Sequence, residues 1–112
     1  MPTANIYTSG ATSRGHLVAR ASELRAFIAK ELSCGERQLQ PDEISIRIHE
    51  NCGSAMIAPL EIEVTAHAYA ERSSRSDEIC LKIRELVMQL VPQLTDARVW
   101  LLLVDLGHSW HE

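Results

Sequence analysis

The sequence is poor in features that mark several common classes of protein. Aromatic residues make up 4% of the 112 residues, too few to build the stacking platforms that bind single-stranded nucleic acid. Lys and Arg number 11 against 15 Asp and Glu, and they form no basic stripe. No apolar run approaches the roughly 20 residues of a membrane span. We therefore expect neither a nucleic-acid partner nor a membrane partner.

Cysteine is also scarce. Cys34, Cys52 and Cys80 lack the spacing of metal ligands, and an odd count without a leader peptide fits a reducing compartment. His108 and His111 have no third ligand at a fixed spacing, so no metal site is expected. These features predict a cytoplasmic protein without a metal.

Apolar periodicity predicts two amphipathic helices. The first covers Ser13–Ser33, with apolar residues at spacings of three and four. The second covers Ser76–Val91, and Pro92 ends or kinks it. Alternation of apolar and polar residues predicts four strands, at residues 3–8, 43–49, 60–69 and 98–106.

The order of these elements is β-α-β followed by β-α-β. Pro2 opens the first half and Pro59 opens the second, 57 residues later. This repeat predicts one α+β domain over residues 1–112, with pseudo-repeats at about 1–58 and 59–112. Right-handed crossovers make it a two-layer α/β sandwich, a four-stranded mixed sheet with both helices on one face.

The other face of the predicted sheet combines apolar and charged side chains. Trp100, Leu102 and Val104 alternate onto it from the last strand. A face of this kind is poorly suited to water, and copies of the chain can cover it. We therefore predict a homo-oligomer.

Several short motifs resemble the tautomerase superfamily. Met1-Pro2 directly before a strand is similar to the opening that its members share. Residues 74–78, Ser-Arg-Ser-Asp-Glu, resemble the helix start of 4-oxalocrotonate tautomerase, and residues 97–99, Ala-Arg-Val, resemble its second strand. Gly107-His108 and nearby Trp110 are similar to its Gly-His-Phe segment. Length and duplication look more like 5-carboxymethyl-2-hydroxymuconate isomerase and macrophage migration inhibitory factor, and the resemblance implies a trimer.

The sequence also departs from these families. Ser45 stands where the muconate isomerase has an arginine, and residues 33–36 lack the pocket lysine of the migration inhibitory factor. Ser74 replaces the usual glycine before the helix-start arginine. The connection before that helix is longer than in the half-sized enzymes, so Arg72 is an alternative to Arg75.

The resemblance implies a cofactor-free tautomerase for a small carboxylated enol or 2-hydroxydienoate. If Met1 is removed, Pro2 becomes a secondary amine that can act as general base. Arg75 or Arg72, together with Arg98, would bind the substrate carboxylate and stabilise the developing oxyanion. Trp110 would exclude water from the pocket.

Other interpretations remain open. Pro2 is also tolerated as a residue that merely begins an edge strand. Arg75 can be a solvated surface residue, and Arg98 can pair with Asp96 or Asp105. A hydratase, decarboxylase or dehalogenase would use the same groups on an unsaturated or keto acid. A non-catalytic oligomer of the same fold is the remaining alternative.

Overall fold

Strands and helices follow one another in two similar halves. A computed structural model describes residues 2–50, 56–105 and 107. The first half contains β1 (Thr3–Thr8), α1 (Ala11–Ala19), α2 (Ala21–Leu32), a short 3₁₀ turn at Pro41–Glu43, and β2 (Ser45–Glu50). The second half contains β3 (Leu60–His67), α3 (Ala70–Ser74), α4 (Ser76–Leu90) and β4 (Arg98–Val104).

The four strands form one mixed sheet in the order β2-β1-β3-β4. Strands β1 and β2 are parallel, as are β3 and β4, whereas β1 and β3 pair in antiparallel orientation. The predicted fold class, a duplicated β-α-β unit with a four-stranded mixed sheet, is confirmed. Within the described ranges, no helix combines the length and apolar content needed to cross a membrane.

The core lies between the helices and one face of the sheet. Strand β3 alternates as its sequence predicts, with every second side chain buried. Each fully buried aliphatic side chain stabilises the fold by about 1.5–3 kcal/mol relative to exposure. The long helices contribute one stripe each, Leu24, Ile28 and Leu32 from α2 and Ile79, Ile83 and Val87 from α4.

The prediction of one unbroken helix over Ser13–Ser33 is wrong, because a single residue leaves helical geometry. Arg20, with φ −113° and ψ 19°, separates α1 from α2. Its amide still donates to the His16 carbonyl, and its own carbonyl accepts from Leu24. Periodicity continues through such a break, so the pattern cannot reveal it. Arg75, with φ −111° and ψ 11°, separates α3 from α4 in the same way.

No helix of the described residues covers the second face of the sheet, which is apolar toward one edge and polar toward the other. Trp100, Leu102 and Val104 on β4 are each at least 40% exposed, as the alternation predicts. Toward the other edge the face is polar. There the Tyr7 and His49 rings stack with centroids 4.9 Å apart. We call this surface the open face.

Candidate functional site

Pro2 lies directly before β1 and is buried. Its carbonyl accepts a hydrogen bond from the Ser45 amide at 3.0 Å, which fixes it beside the start of β2. Because side chains alternate along a strand, its ring shares a side with buried Ala4 and Ile6. The ring therefore points toward the helical layer and away from the open face.

Three other elements end near Pro2, at the same end of the sheet. Thr3 pairs with Thr65, two residues before the end of β3 at His67. His67 pairs in turn with Val104, the last residue of β4. Helix α2 leads from the end of β1 back to the start of parallel β2, so its C-terminus lies at this end too. We call this region the Pro2 end of the sheet.

Arg72 joins these elements from the interior. Its side chain is 3% exposed; Nε donates to the Leu32 carbonyl and Nη1 to the His67 carbonyl, both at 2.8 Å. The last carbonyls of a helix lack intrahelical donors, and a cation suits the negative end of the helix dipole. The guanidinium also lies 4.8 Å from the centroid of the Tyr69 ring. Arg72 thus ties α2 to β3 and places a buried positive charge at the Pro2 end.

Arg75 lies between α3 and α4 and is more accessible, with its side chain 33% exposed. Its Nε donates to Glu78 at 2.6 Å and its Nη2 to Glu31 Oε1 at 3.2 Å. Its Nη1 approaches the Glu31 carbonyl at 3.4 Å. The hydrogen bond to Glu78 raises the pKa of Arg75 and lowers that of Glu78. Arg75 is therefore a fixed cation at the same end as Arg72.

Arg98 lies toward the opposite end of the sheet. It pairs with Glu61, which pairs with Tyr7, five residues after Pro2 on β1. At a strand rise of about 3.3 Å per residue, this offset alone is roughly 16 Å. Its Nε forms an ion pair with Asp96 Oδ2 at 3.1 Å, one of the alternatives that the sequence offers. A single chain therefore does not bring Arg98 to Pro2.

The predicted site residues thus fall into three groups. Pro2, Arg72 and Arg75 share one end of the sheet, and Arg98 lies toward the other. Trp110 lies outside the described residues, so its predicted role in the pocket stays a prediction.

Sequence reasoning missed Glu31, a carboxylate that is only 6% exposed and contacts Arg75. It follows Ile28 by three residues, which places it beside the buried stripe of α2. Aligning the two Arg-x-x-Glu motifs, Arg20–Glu23 and Arg75–Glu78, would have marked it, because the residue that matches Glu31 in the second half is apolar Leu86.

Comparison with solved structures shows which known proteins have a similar architecture. The structure is similar to a macrophage migration inhibitory factor-like protein from Entamoeba histolytica, with TM-score 0.67, 11% identity, and coverage of 99% of this chain and 94% of that chain. It is similar to N1, a member of the cis-3-chloroacrylic acid dehalogenase family, with TM-score 0.67, 9% identity, and coverage of 98% and 79%. A fused 4-OT asymmetric trimer gives TM-score 0.66, 11% identity, and coverage of 97% and 94%.

A duplicated β-α-β unit with its helices on one face of a mixed sheet is the architecture that these structures share with this chain. The chain has the fold of the tautomerase superfamily, so the predicted resemblance is confirmed at the level of the fold. No protein-family model matches the sequence, and no curated protein matches it either.

Proposed function

We propose that the protein is a cofactor-free tautomerase whose base is the amine of Pro2. The supporting observation is the burial of Pro2 at the end of the sheet that also holds Arg72 and Arg75. An unperturbed α-amino group titrates near pH ~8. Burial and neighbouring cations both disfavour its protonated form. The amine would then be largely neutral at physiological pH, as a general base must be.

The proposed reaction moves one proton. The Pro2 amine takes the proton from the hydroxyl of a small carboxylated enol or 2-hydroxydienoate and returns it to carbon, giving the ketone. Arg75 binds the substrate carboxylate through its planar fork of donors. A second cation stabilises the negative charge that develops on the oxygen. Trp110 keeps water out of the pocket.

We propose that Arg98 reaches the site from a second copy in a homo-oligomer, most simply a trimer. Its distance from Pro2 within one chain calls for such a neighbour. The exposed apolar half of the open face offers a surface for it, with Trp100, Leu102 and Val104 exposed. Trimers are also named among the similar structures. We place the assembly in the cytoplasm, as the cysteine usage suggests.

The test compares two prolines that open equivalent halves. Pro2→Ala replaces the ring-held secondary amine by a freely rotating primary amine, and we expect the turnover of phenylpyruvate enol to fall by about 100-fold, the lower end of what a well-placed general base contributes. Pro59→Ala is the matched control, because Pro59 is exposed and its nitrogen is always an amide. It should leave turnover unchanged. Intact-mass spectrometry of the native protein should show loss of Met1, since a retained methionine makes Pro2 an amide as well.

Two outcomes would overturn this function. The first is that mature protein with a free Pro2 acts on none of the enols tested. The second is that Pro2→Ala keeps full activity. Products are identified on unsaturated, β-keto and halogenated acids as well, because N1 belongs to a dehalogenase family. Hydration, decarboxylation or halide release without tautomerisation would reassign the reaction while keeping the base. Quantitative retention of Met1 would favour a non-catalytic oligomer.

A further inference from the structure

The helical break occurs twice, and the two copies differ in the partners of the arginine that forms the break. Each has an arginine followed three residues later by a glutamate, Arg20–Glu23 and Arg75–Glu78, 55 residues apart. In the first copy the fork is bidentate, since Nε and Nη2 of Arg20 donate to the two oxygens of Glu23. Both side chains are about half exposed, at 47% and 51%. This pair therefore shows what the motif does when nothing else intervenes.

In the second copy the guanidinium of Arg75 donates to two carboxylates, those of Glu78 and Glu31. Nε of Arg75 stays with Glu78, but Nη2 turns to Glu31 Oε1 at 3.2 Å. Nη1 turns to the carbonyl of the same residue at 3.4 Å. Glu31 is therefore the residue that draws Arg75 away from a bidentate pair with its neighbour. The equivalent position in the first copy is apolar Leu86, which cannot do so.

Lys82 balances the charge of this network. Its Nζ lies 3.7 Å from Glu31 Oε1 and 3.8 Å from Glu78 Oε1. Two cations thus face two carboxylates. A buried carboxylate without a cation strongly destabilises a protein, and Lys82 gives Glu31 a second cation when Arg75 also binds a substrate carboxylate.

We propose that Glu31 is a positioning residue that holds the Arg75 guanidinium ready for the substrate carboxylate, with Lys82 as its counter-charge. This inference rests on the proposed function. Each Nη nitrogen of Arg75 carries two N–H groups, and the two contacts with Glu31 use one N–H of each nitrogen. Among the described residues, two N–H groups thus remain for a ligand. Because Glu31 belongs to the last turn of α2, it fixes the guanidinium against the Pro2 end, where a freely rotating Arg75 would close on Glu78 as Arg20 closes on Glu23.

The experiment replaces Glu31 by the residue that the first copy carries. Glu31→Leu should reduce kcat/KM for phenylpyruvate enol by roughly tenfold or more, mainly through KM. The methyl ester of the same enol lacks the carboxylate, so its kcat/KM should change by less than about twofold. Glu31→Gln keeps an oxygen that accepts from Nη2 of Arg75, so its kcat/KM for the acid should lie between those of the native protein and Glu31→Leu. Glu23→Gln is the matched control in the other copy and should change neither substrate.

A second measurement separates this inference from the proposed function. Phenylacetate is titrated into the full chain while the ¹⁵N signal of Arg75 Nε is followed by NMR. Weaker binding of phenylacetate to Glu31→Leu than to the native protein supports positioning, even if no enol is turned over and the proposed function is wrong. Equal loss of turnover for acid and ester, or unchanged phenylacetate binding, overturns the positioning role. Thermal unfolding confirms that each variant is folded.

Discussion

Arg72 shows how a charged residue can be buried and still stabilise the fold. Burying an unpaired charge is costly, and groups with full hydrogen bonding offset that cost. Here two main-chain carbonyls accept from the guanidinium, and the Tyr69 ring lies beneath it. Both carbonyls lie at the ends of secondary-structure elements, one on the last residue of α2 and the other on the last residue of β3. The side chain therefore joins two elements from different halves.

Replacing Arg72 by Met should destabilise the protein by about 3 kcal/mol, because the buried Leu32 carbonyl and the partly buried His67 carbonyl both lose a charged donor. The free energy of unfolding in urea, followed by circular dichroism, measures the change. Arg14→Met serves as the control, since Arg14 is exposed, and it should cost less than about 0.5 kcal/mol. A cost for Arg72→Met as small as that of the control would contradict this account.

At the scale of single residues, the sequence predicts positions in the fold better than it predicts roles. Pro2 and Arg75, 73 residues apart in the sequence, were predicted from two separate short motifs, with Arg72 as an alternative to Arg75, and all three share one end of the sheet. Glu31 was not predicted, because its burial depends on Arg75, 44 residues away in the other half. Arg98 was predicted with two possible roles, and the ion pair with Asp96 is present. Choosing between such roles requires the neighbours of a residue, which spacing does not supply.

At the level of elements, the alternating strands were predicted closely and the helices less so. Strand β3 was expected to continue to residue 69, but it ends at His67. The next amide, that of Ala68, still donates to the Val104 carbonyl, and Tyr69 then precedes α3. A half-buried strand must place every second side chain toward the core, so its apolar and polar residues alternate in the sequence and reveal it. A one-residue break in a helix leaves no such mark.

Asp96 joins α4 to β4 and carries a pH-dependent part of the stability. Its carboxylate accepts from Arg84 at 2.8 Å and from Arg98 at 3.1 Å. The hydrogen bond from Arg84, followed by that from Arg98, lowers the pKa of Asp96 in the folded protein. An unfolded Asp titrates near pH ~3.9, so this contribution is fully present above that pH and is lost as the pH falls through the lower, folded pKa.

Asp96→Asn should therefore be less stable than the native protein at neutral pH, and the difference should shrink as the solution is acidified below about pH 4. Urea unfolding at a series of pH values measures it. Asp42→Asn is a suitable control, because Asp42 is exposed and has no ion pair within the described residues. A difference between Asp96→Asn and the native protein that stays constant down to the acid limit would contradict the linkage.

For the whole molecule, the open face is the surface on which a single copy leaves apolar side chains exposed. Its apolar half lies on β4, an edge strand of the sheet. A concavity of about 520 Å³ adjoins the same strand, lined in part by Leu81, Val99 and Trp100. Apolar surface at a sheet edge is a site where another chain can add. Arg98 is the first residue of this strand, so a second copy that covers the open face would also contact the Arg98 guanidinium.

Leu102→Glu should reduce the size of the assembly, because a charge would be buried in the proposed contact. Light scattering after size-exclusion chromatography measures the mass, and turnover of phenylpyruvate enol should fall with it. Val18→Glu places the same charge on a side chain of the helical layer that is 53% exposed, against 44% for Leu102, and should leave the mass unchanged. A native-size assembly in Leu102→Glu would separate the open face from oligomerisation.

The duplication also limits how many reactive ends one polypeptide can offer. Two prolines open two similar halves, but Pro59 is bonded on both sides within the chain and its nitrogen carries no basic lone pair. However many copies assemble, a reagent that alkylates secondary amines can modify at most one proline nitrogen per chain. The second half therefore contributes β3 and β4 to the sheet without offering a second proline amine.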